Sequence, residues 1–155
     1  MYDARRNICF NLGRVMRRVQ DYYRQRLAPY GLTPAQFFVF NALWMEDGIN
    51  FTELADRVSL DNSTLTGIID RMETSRFVER RQDPENRRSV RVFLAPRARQ
   101  VGPGILKLAD ELDVILRRPF SRLQMENFEN VLRELADIRE QQGVGNAGKS
   151  PGNSD

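Results

Sequence analysis

Between Asn50 and Leu94 the chain reads NFTELADRVSLDNSTLTGIIDRMETSRFVERRQDPENRRSVRVFL, and the order of elements in this stretch restricts the fold more than any other feature. Asn50, with Glu53 three residues on, is a capping-box start for a short helix whose apolar residues are Leu54, Ala55 and Val58. Ser59-Leu60 makes a brief turn, and Asp61 or Asn62 then caps a second helix. On that helix Leu65, Ile68, Ile69 and Met72 share one face. Ser63, Thr66, Gly67, Asp70 and Thr74 take the opposite one, with Thr64 and Arg71 at the flank. Phe77-Val78 opens a strand, Asp83-Pro84-Glu85-Asn86 supplies turn chemistry, and Val90, Val92 and Leu94 alternate along the return. Two helices with a short turn, followed at once by a hairpin, are the plan of a winged helix-turn-helix, in which the second helix enters the major groove by its N-terminal end.

The hairpin is heavily charged: residues 76–91 hold six arginines against Glu79, Asp83 and Glu85. One reading is a solvated tip that protects a sheet edge from aggregation. The other is a finger for the minor groove, whose negative potential draws arginine. The outward face of the second helix bears on the choice, because it is small and hydroxylated where surface helices normally carry Glu, Lys or Gln. Such side chains suit close approach to base edges and phosphates. Gly67 in mid-helix costs about 1 kcal/mol relative to alanine, which a close approach offsets. The alternative for this helix is a plain hairpin of helices with a polar surface. Of 24 basic residues only Lys107 and Lys149 are lysines. Arginine's planar fork suits phosphates and base edges, although arginine richness equally reflects genomic base composition.

Several function classes drop out. A chain of 155 residues has room for about one core, and no apolar run approaches the roughly 20 residues of a membrane span. The N-terminal MYDARRNICF has no apolar signal-peptide core, so a cytoplasmic protein without a membrane partner is expected. Cys9 is the single cysteine and there is no histidine. An intrachain disulfide is impossible, His-based catalysis is excluded, and no enzyme constellation, metal site or cofactor is expected.

The flanks read as helices. Ile8, Leu12, Val15, Val19, Tyr23 and Leu27 recur at spacings of three and four, with Arg14, Arg17, Arg18 and Arg24 on other faces, until Pro29 and Gly31 end the pattern. Thr33-Pro34 starts a helix carrying Phe37, Phe38, Phe40, Leu43 and Trp44, which is read as core, and Asp47-Gly48 stops it. From about Arg97 the pattern is helical again, although Gly102-Pro103-Gly104 must kink or interrupt it. A last helix presents Phe128, Val131, Leu132, Leu135 and Ile138, a stripe that packs either within the chain or on a partner. The tail at 141–155 is rich in Gly, Ser and Asn and reads as disordered.

The motifs LTPAQ, ELADRVSLDNSTLTGIIDRMETSRFVERR and DPENRRSVRVFL, in this order and spacing between Leu32 and Leu94, strongly resemble the MarR family of winged helix-turn-helix regulators; the similarity reaches more weakly over about residues 5–140. The resemblance implies a mainly α fold with a small β-hairpin wing. Its parts would be an N-terminal dimerisation helix in 1–30, a DNA-binding domain in 31–96 and dimerisation helices in 97–140. It implies a homodimer on a pseudo-palindromic double-stranded operator, acting as a transcriptional regulator and most often a repressor. By match to the family pattern Ser63, Thr64 and Thr66 fall at base- and phosphate-contacting positions, Arg71 at a phosphate contact and Arg88 at the minor-groove arginine. Gly67 and Arg87 complete the expected DNA face. Two departures stand out: Asn86 occupies a position that is commonly acidic and holds the wing-tip arginine, and Gly67 one that is often larger and basic.

For the signal sensed, two readings stay open. Cys9 in NICFNL is similar to the redox centre of the organic-hydroperoxide-sensing branch, with Tyr23 at the place of one sulfur-contacting tyrosine and Pro34 at the place of the other. Otherwise Cys9 is a small buried hydrophobe. The second reading is a small aromatic or anionic effector in a pocket lined by Phe10, Arg18, Tyr22, Tyr23, Phe37 and Phe38, residues that equally suit a core. A winged helix used as a protein-interaction module without DNA is the rival from another class; an acidic or apolar recognition face would favour it.

Overall fold

The structure, a computed structural model, describes residues 6–86 and 88–137. Arg87, Ile138 and the tail from 141 lie outside the described residues.

Local hydrogen bonds start each helix of the N-terminal half. The Asn7 side chain accepts the Phe10 N–H (2.8 Å) to open α1 (Ile8–Leu27). A single 3-10 turn follows at Ala28–Tyr30, and Gly31 then turns the chain with φ 74°. Thr33 opens α2 (Pro34–Met45) with a reciprocal box: its Oγ1 accepts the Gln36 N–H (3.3 Å), while Gln36 Oε1 accepts the Thr33 N–H (2.9 Å). At Asn50 the expected box is altered. Its Oδ1 accepts the Glu53 N–H (2.8 Å) to start α3 (Phe51–Arg57), but the Glu53 carboxylate accepts from the Asn50 side-chain amide and not from its backbone. Asp61, the first of the two candidates, caps α4 (Asn62–Thr74) through the Thr64 N–H (2.8 Å).

The hairpin forms as β2 (Val78–Gln82) and β3 (Val90–Leu94), antiparallel with Arg80 opposite Val92. A third strand, β1 (Ile49–Asn50), pairs antiparallel with β3, giving the order β1-β3-β2. Two residues are too few to show an alternation, so the sequence carried no sign of it. Gly48, just before β1, has φ 76°, and a Cβ there would stand 2.4 Å from the Phe93 ring. The turn into the sheet therefore depends on glycine.

The apolar face of α4 closes the core. Leu65, Ile69 and Met72 are fully buried together with Phe37, Phe40, Leu54, Phe77 and Ile105. The helix after the wing, α5 (Pro96–Arg117), is not interrupted at Gly102-Pro103-Gly104, the second of the two outcomes expected there; the helical assignment continues through Pro103. Proline forfeits a single intrahelical bond, and the flanking glycines let aromatic groups lie directly on the helix. A Cβ at Gly102 would be 2.1 Å from the Trp44 ring, and one at Gly104 2.6 Å from the Tyr30 hydroxyl oxygen. The final described helix is α6 (Arg122–Asp137).

The chain divides into two compact units, Met1–Val114 and Ile115–Asp155. In the first, the N-terminal half of α1 exposes Ile8, Phe10, Leu12, Val15 and Met16. In the second, Leu123, Phe128, Val131, Leu132 and Leu135 are all exposed. None of the described helices is long and apolar enough to cross a membrane.

Candidate nucleic-acid interface

The outer face of α4 carries Ser63, Thr64, Thr66, Asp70, Arg71 and Thr74, all exposed, with Gly67 half-buried among them. Several hydroxyl protons are already spent. Thr64 Oγ1 donates to Asp61 Oδ2 (2.6 Å), Thr66 Oγ1 to the Asn62 carbonyl (2.7 Å) and Thr74 Oγ1 to the Asp70 carbonyl (2.9 Å). These threonines therefore offer a methyl group and an accepting oxygen to whatever approaches. The Thr64 hydroxyl, and then its N–H, hold the Asp61 carboxyl below its ordinary range, so the cap stays ionised at neutral pH.

The helix and wing are joined by Arg80, which the sequence reading did not single out. Its Nη2 donates to Asp70 Oδ1 (2.6 Å), its Nη1 to Glu73 Oε2 (2.7 Å), and its backbone N–H to Glu73 Oε1 (3.1 Å). Burial works against its charge, but the two carboxylates outweigh burial and raise its pKa. Arg80 thus masks both acidic groups at this end of α4. The signal was available: Asp70 and Glu73 share one side of the helix and precede a strand with a basic residue.

The wing uses its other arginines in two ways. Arg81 donates to Glu79 (2.9 Å) and lies over the Phe93 ring at 4.5 Å. Arg91 donates to the buried Asp83 carboxylate (2.8 Å) and to the Gly48 carbonyl (3.2 Å). Asp83 also accepts the Glu85 N–H (3.0 Å), and this bond, ahead of Arg91, draws its pKa down against the effect of burial. Three arginines thus balance acidic groups of the protein, so the charge excess read from sequence overstates what the hairpin offers outward. Arg88 differs. It is exposed, and among the described residues its guanidinium has no partner. Asn86 explains how the tip is held without an acid: its Oδ1 accepts the Arg88 backbone N–H (3.1 Å) and its carbonyl the Ser89 N–H (2.8 Å). Between α4, α3 and the wing lies a cleft of about 410 Å³ lined by Phe51, Thr52, Thr66, Arg80, Arg88, Ser89 and Val90. Thr52 and Ser89 add hydroxyls that the sequence reading missed, because only the fold brings them beside Arg88.

The candidate effector residues separate. Tyr23 and Phe37 stack at 4.4 Å and are buried, with Tyr22 and Phe38 edge-on to Tyr23 at 5.6 and 6.2 Å. Burial, first of all, pushes the Tyr23 phenol pKa up. Tyr22 donates to the Leu108 carbonyl (3.2 Å) under the Arg26 guanidinium. Arg18 is exposed one turn before Tyr22. Phe10 is exposed about 18 Å before Tyr22 at 1.5 Å per residue, with Arg14 over its ring. Cys9 beside it is exposed and not the small buried hydrophobe of the alternative reading. A separate hollow of about 370 Å³ is lined by Phe38, Asn41, Ala42, Met45, Arg57, Val58 and Ser59. Among the described residues no group of three or more Cys, Asp or Glu side chains is arranged to hold a metal ion.

Residues 32–90 match the sequence profile of the MarR family. The transcriptional regulator TtmR of Methylorubrum extorquens is 35% identical over 92 residues, 59% of this chain; the match spans 47%, about half, of that relative's own length. A MarR transcriptional regulator from Methanosarcina mazei superposes with a TM-score of 0.75 at 31% identity, covering 83% of this chain and 92% of that one. The Bordetella bronchiseptica regulator BpsR, whose DNA binding is regulated by 6-hydroxynicotinic acid, shares the fold with a TM-score of 0.80 at 22% identity, covering 90% and 99%.

Proposed function

Since the chain belongs to the MarR family of DNA-binding transcriptional regulators, we propose that it is a cytoplasmic repressor that binds a pseudo-palindromic operator as a homodimer and is released by a small effector. The observation that carries the DNA reading is the pairing of an exposed, hydroxylated α4 face with an unpartnered Arg88 guanidinium across the cleft between α3, α4 and the wing. Neither an acidic nor an apolar recognition face is present, as the protein-interaction alternative would need. In this reading Ser63, Thr64, Thr66 and Arg71 are presented to the major groove and Arg88 reaches the minor groove, with Arg87 a further DNA-binding residue proposed from the sequence. The exposed apolar residues of α1 and α6 support the dimer, whose two α4 helices would lie about 34 Å apart.

The test is selection of genomic fragments on the full chain, followed by footprinting. The expected footprint is two-fold symmetric, with half-sites about 10 bp apart or a multiple of that spacing. Protection of a single asymmetric half-site would contradict the dimeric operator complex, and no protection at all would contradict the DNA reading.

For release, an aromatic or anionic effector near the Tyr22, Tyr23, Phe37 and Phe38 cluster is the first reading, supported by those contiguous rings and the hollow beside Phe38. Regulation of BpsR by an aromatic acid fits it by fold analogy. The exposure of Cys9 favours a second reading, oxidation of its thiol by an organic hydroperoxide. Cumene hydroperoxide and a panel of aromatic carboxylates, applied to the DNA complexes of the parent and Cys9→Ser, separate the two. Oxidant release lost in Cys9→Ser supports the thiol; release by a carboxylate in both proteins supports the pocket.

A further inference from the structure

Gly67 is half-buried on an otherwise exposed helix face, and the group that covers it is a side chain of the same helix. A Cβ built at Gly67 would lie 3.9 Å from Nη1 and 4.0 Å from Nη2 of Arg71. Helical side chains lean toward the N-terminus, so a residue four positions on can lay its head over the turn before it. Here the head comes to rest where position 67 has no side chain of its own. The consequence is positional. Arg71 is rooted in the tenth residue of α4, yet its guanidinium stands at the level of the sixth, in the N-terminal half that enters the groove.

Its charge is also available. The two nearby carboxylates of α4, Asp70 and Glu73, are both taken by Arg80, and among the described residues the Arg71 guanidinium has no ion-pair or hydrogen-bond partner. The Thr64 and Thr66 hydroxyls do not compete for acceptors, because they donate to the Asp61 cap and to the Asn62 carbonyl. Guanine presents two adjacent acceptors, O6 and N7, in the major groove, and a guanidinium fork matches that pair.

We propose that Arg71, laid over Gly67, is the base-reading residue of the recognition helix and selects a guanine in each half-site. This rests on the DNA interface proposed above and goes beyond the phosphate contact that the family pattern implies for this position. The small size of position 67 is then part of the reading device: a methyl fits beneath the guanidinium, whereas a side chain longer than alanine's would hold it off the helix.

The experiment enriches duplexes from a random-sequence library on the full-length parent, Arg71→Lys and Arg71→Ala, then measures affinity against salt for the enriched duplex and for one with the guanine pair changed to A·T. Arg71 is exposed, and unchanged helical circular dichroism shows that both variants fold. The parent is expected to discriminate between the two duplexes by about 5- to 150-fold per half-site. Arg71→Lys should lose most of that discrimination while keeping the salt dependence, because an ammonium retains the charge but not the fork. Arg71→Ala should lose the discrimination at the same pair. The proposal is overturned if Arg71→Lys enriches the parent's sequences unchanged. It is equally overturned if Arg71→Ala weakens both duplexes alike and lowers the slope of log K against log salt by about 0.9 per half-site, the mark of a phosphate contact. Failure of the parent itself to enrich any duplex would remove the DNA interface and this inference with it, and so differs from a failure confined to the Arg71 variants. Gly67→Ala, whose methyl would meet the guanidinium at ordinary contact distance, should keep the parent's preference.

Discussion

Helices α4 and α6 are both amphipathic and of similar length, and each carries an apolar stripe at helical spacing. Their stripes meet different fates. Leu65, Ile68, Ile69 and Met72 of α4 are at most 3% exposed, whereas Leu123, Phe128, Val131, Leu132 and Leu135 of α6 are 38–66% exposed. Periodicity tells that a face must be covered and is silent about what covers it. For α4 the cover is the chain's own core, which holds the helix rigidly and leaves its polar side for another molecule. For α6 the cover must come from elsewhere, and in the dimer proposed here it is a second copy.

Substitutions can break this contrast, and the largest effect belongs to the covered face. Leu65→Ala empties a fully buried site and should cost about 2–5 kcal/mol in denaturant unfolding, since the lost burial and the cavity both count. Phe128→Asp on α6 should instead leave the helical circular dichroism intact and weaken self-association at least tenfold, about 1.4 kcal/mol, in sedimentation measurements over a concentration series. A variant that unfolds at micromolar concentration without first dissociating would put α6 inside the chain's own core.

Arg80→Ala sharpens the same contrast on the polar side. The pair with Asp70 and Glu73 is partly exposed, so the loss of stability should stay under about 1 kcal/mol. DNA affinity should fall further than stability, because two carboxylates are unmasked beside the groove face. Anisotropy titrations compared with unfolding curves read the two effects apart.

The smallest effect is acid loosening of the wing. Asp83 has its folded-state pKa below the ordinary 3.8, chiefly through the Glu85 N–H and then Arg91, so its stabilising contribution is complete above that value and disappears as pH falls through the lower folded value. The Glu85 amide should stay protected from hydrogen exchange from neutral pH down through 3.8, and lose protection only at lower pH, as the depressed folded pKa is crossed. In Asp83→Asn that acid-dependent loss should be absent.

Much of this was legible in the sequence because local chemistry and tertiary structure agree there. The Asp61 cap, the Leu65–Met72 stripe and the alternation of Val90, Val92 and Leu94 each satisfy a local rule and a packing requirement at once. The continuation of α5 through Gly102-Pro103-Gly104 was not legible, because the side chains that pack directly on the two glycines, Trp44 and Tyr30, are distant in sequence. Strand β1 is set by its register against β3, which a two-residue segment cannot announce. At the candidate site the arginines were visible, but their sorting into those tied to Glu79, Asp83 or Asp70 and those left outward depends on strand register and on where α4 ends. Nor did the sequence show that Gly67 would be roofed by Arg71.

In the function proposed above, the hydroxylated face of α4 meets DNA. Thr66 sits on that face and beside the wing cleft, exposed, with no core contact to lose. The most direct measurement is the affinity of full-length Thr66→Glu for a footprinted duplex at several salt concentrations, alongside its melting temperature. An unchanged melting temperature with binding weakened at least a hundredfold is the expected result, since a carboxylate would face phosphate and base edges and would compete with DNA for the Arg88 guanidinium across the cleft. Parent-like affinity and salt dependence in that variant would contradict the account and turn the face of α4 away from DNA.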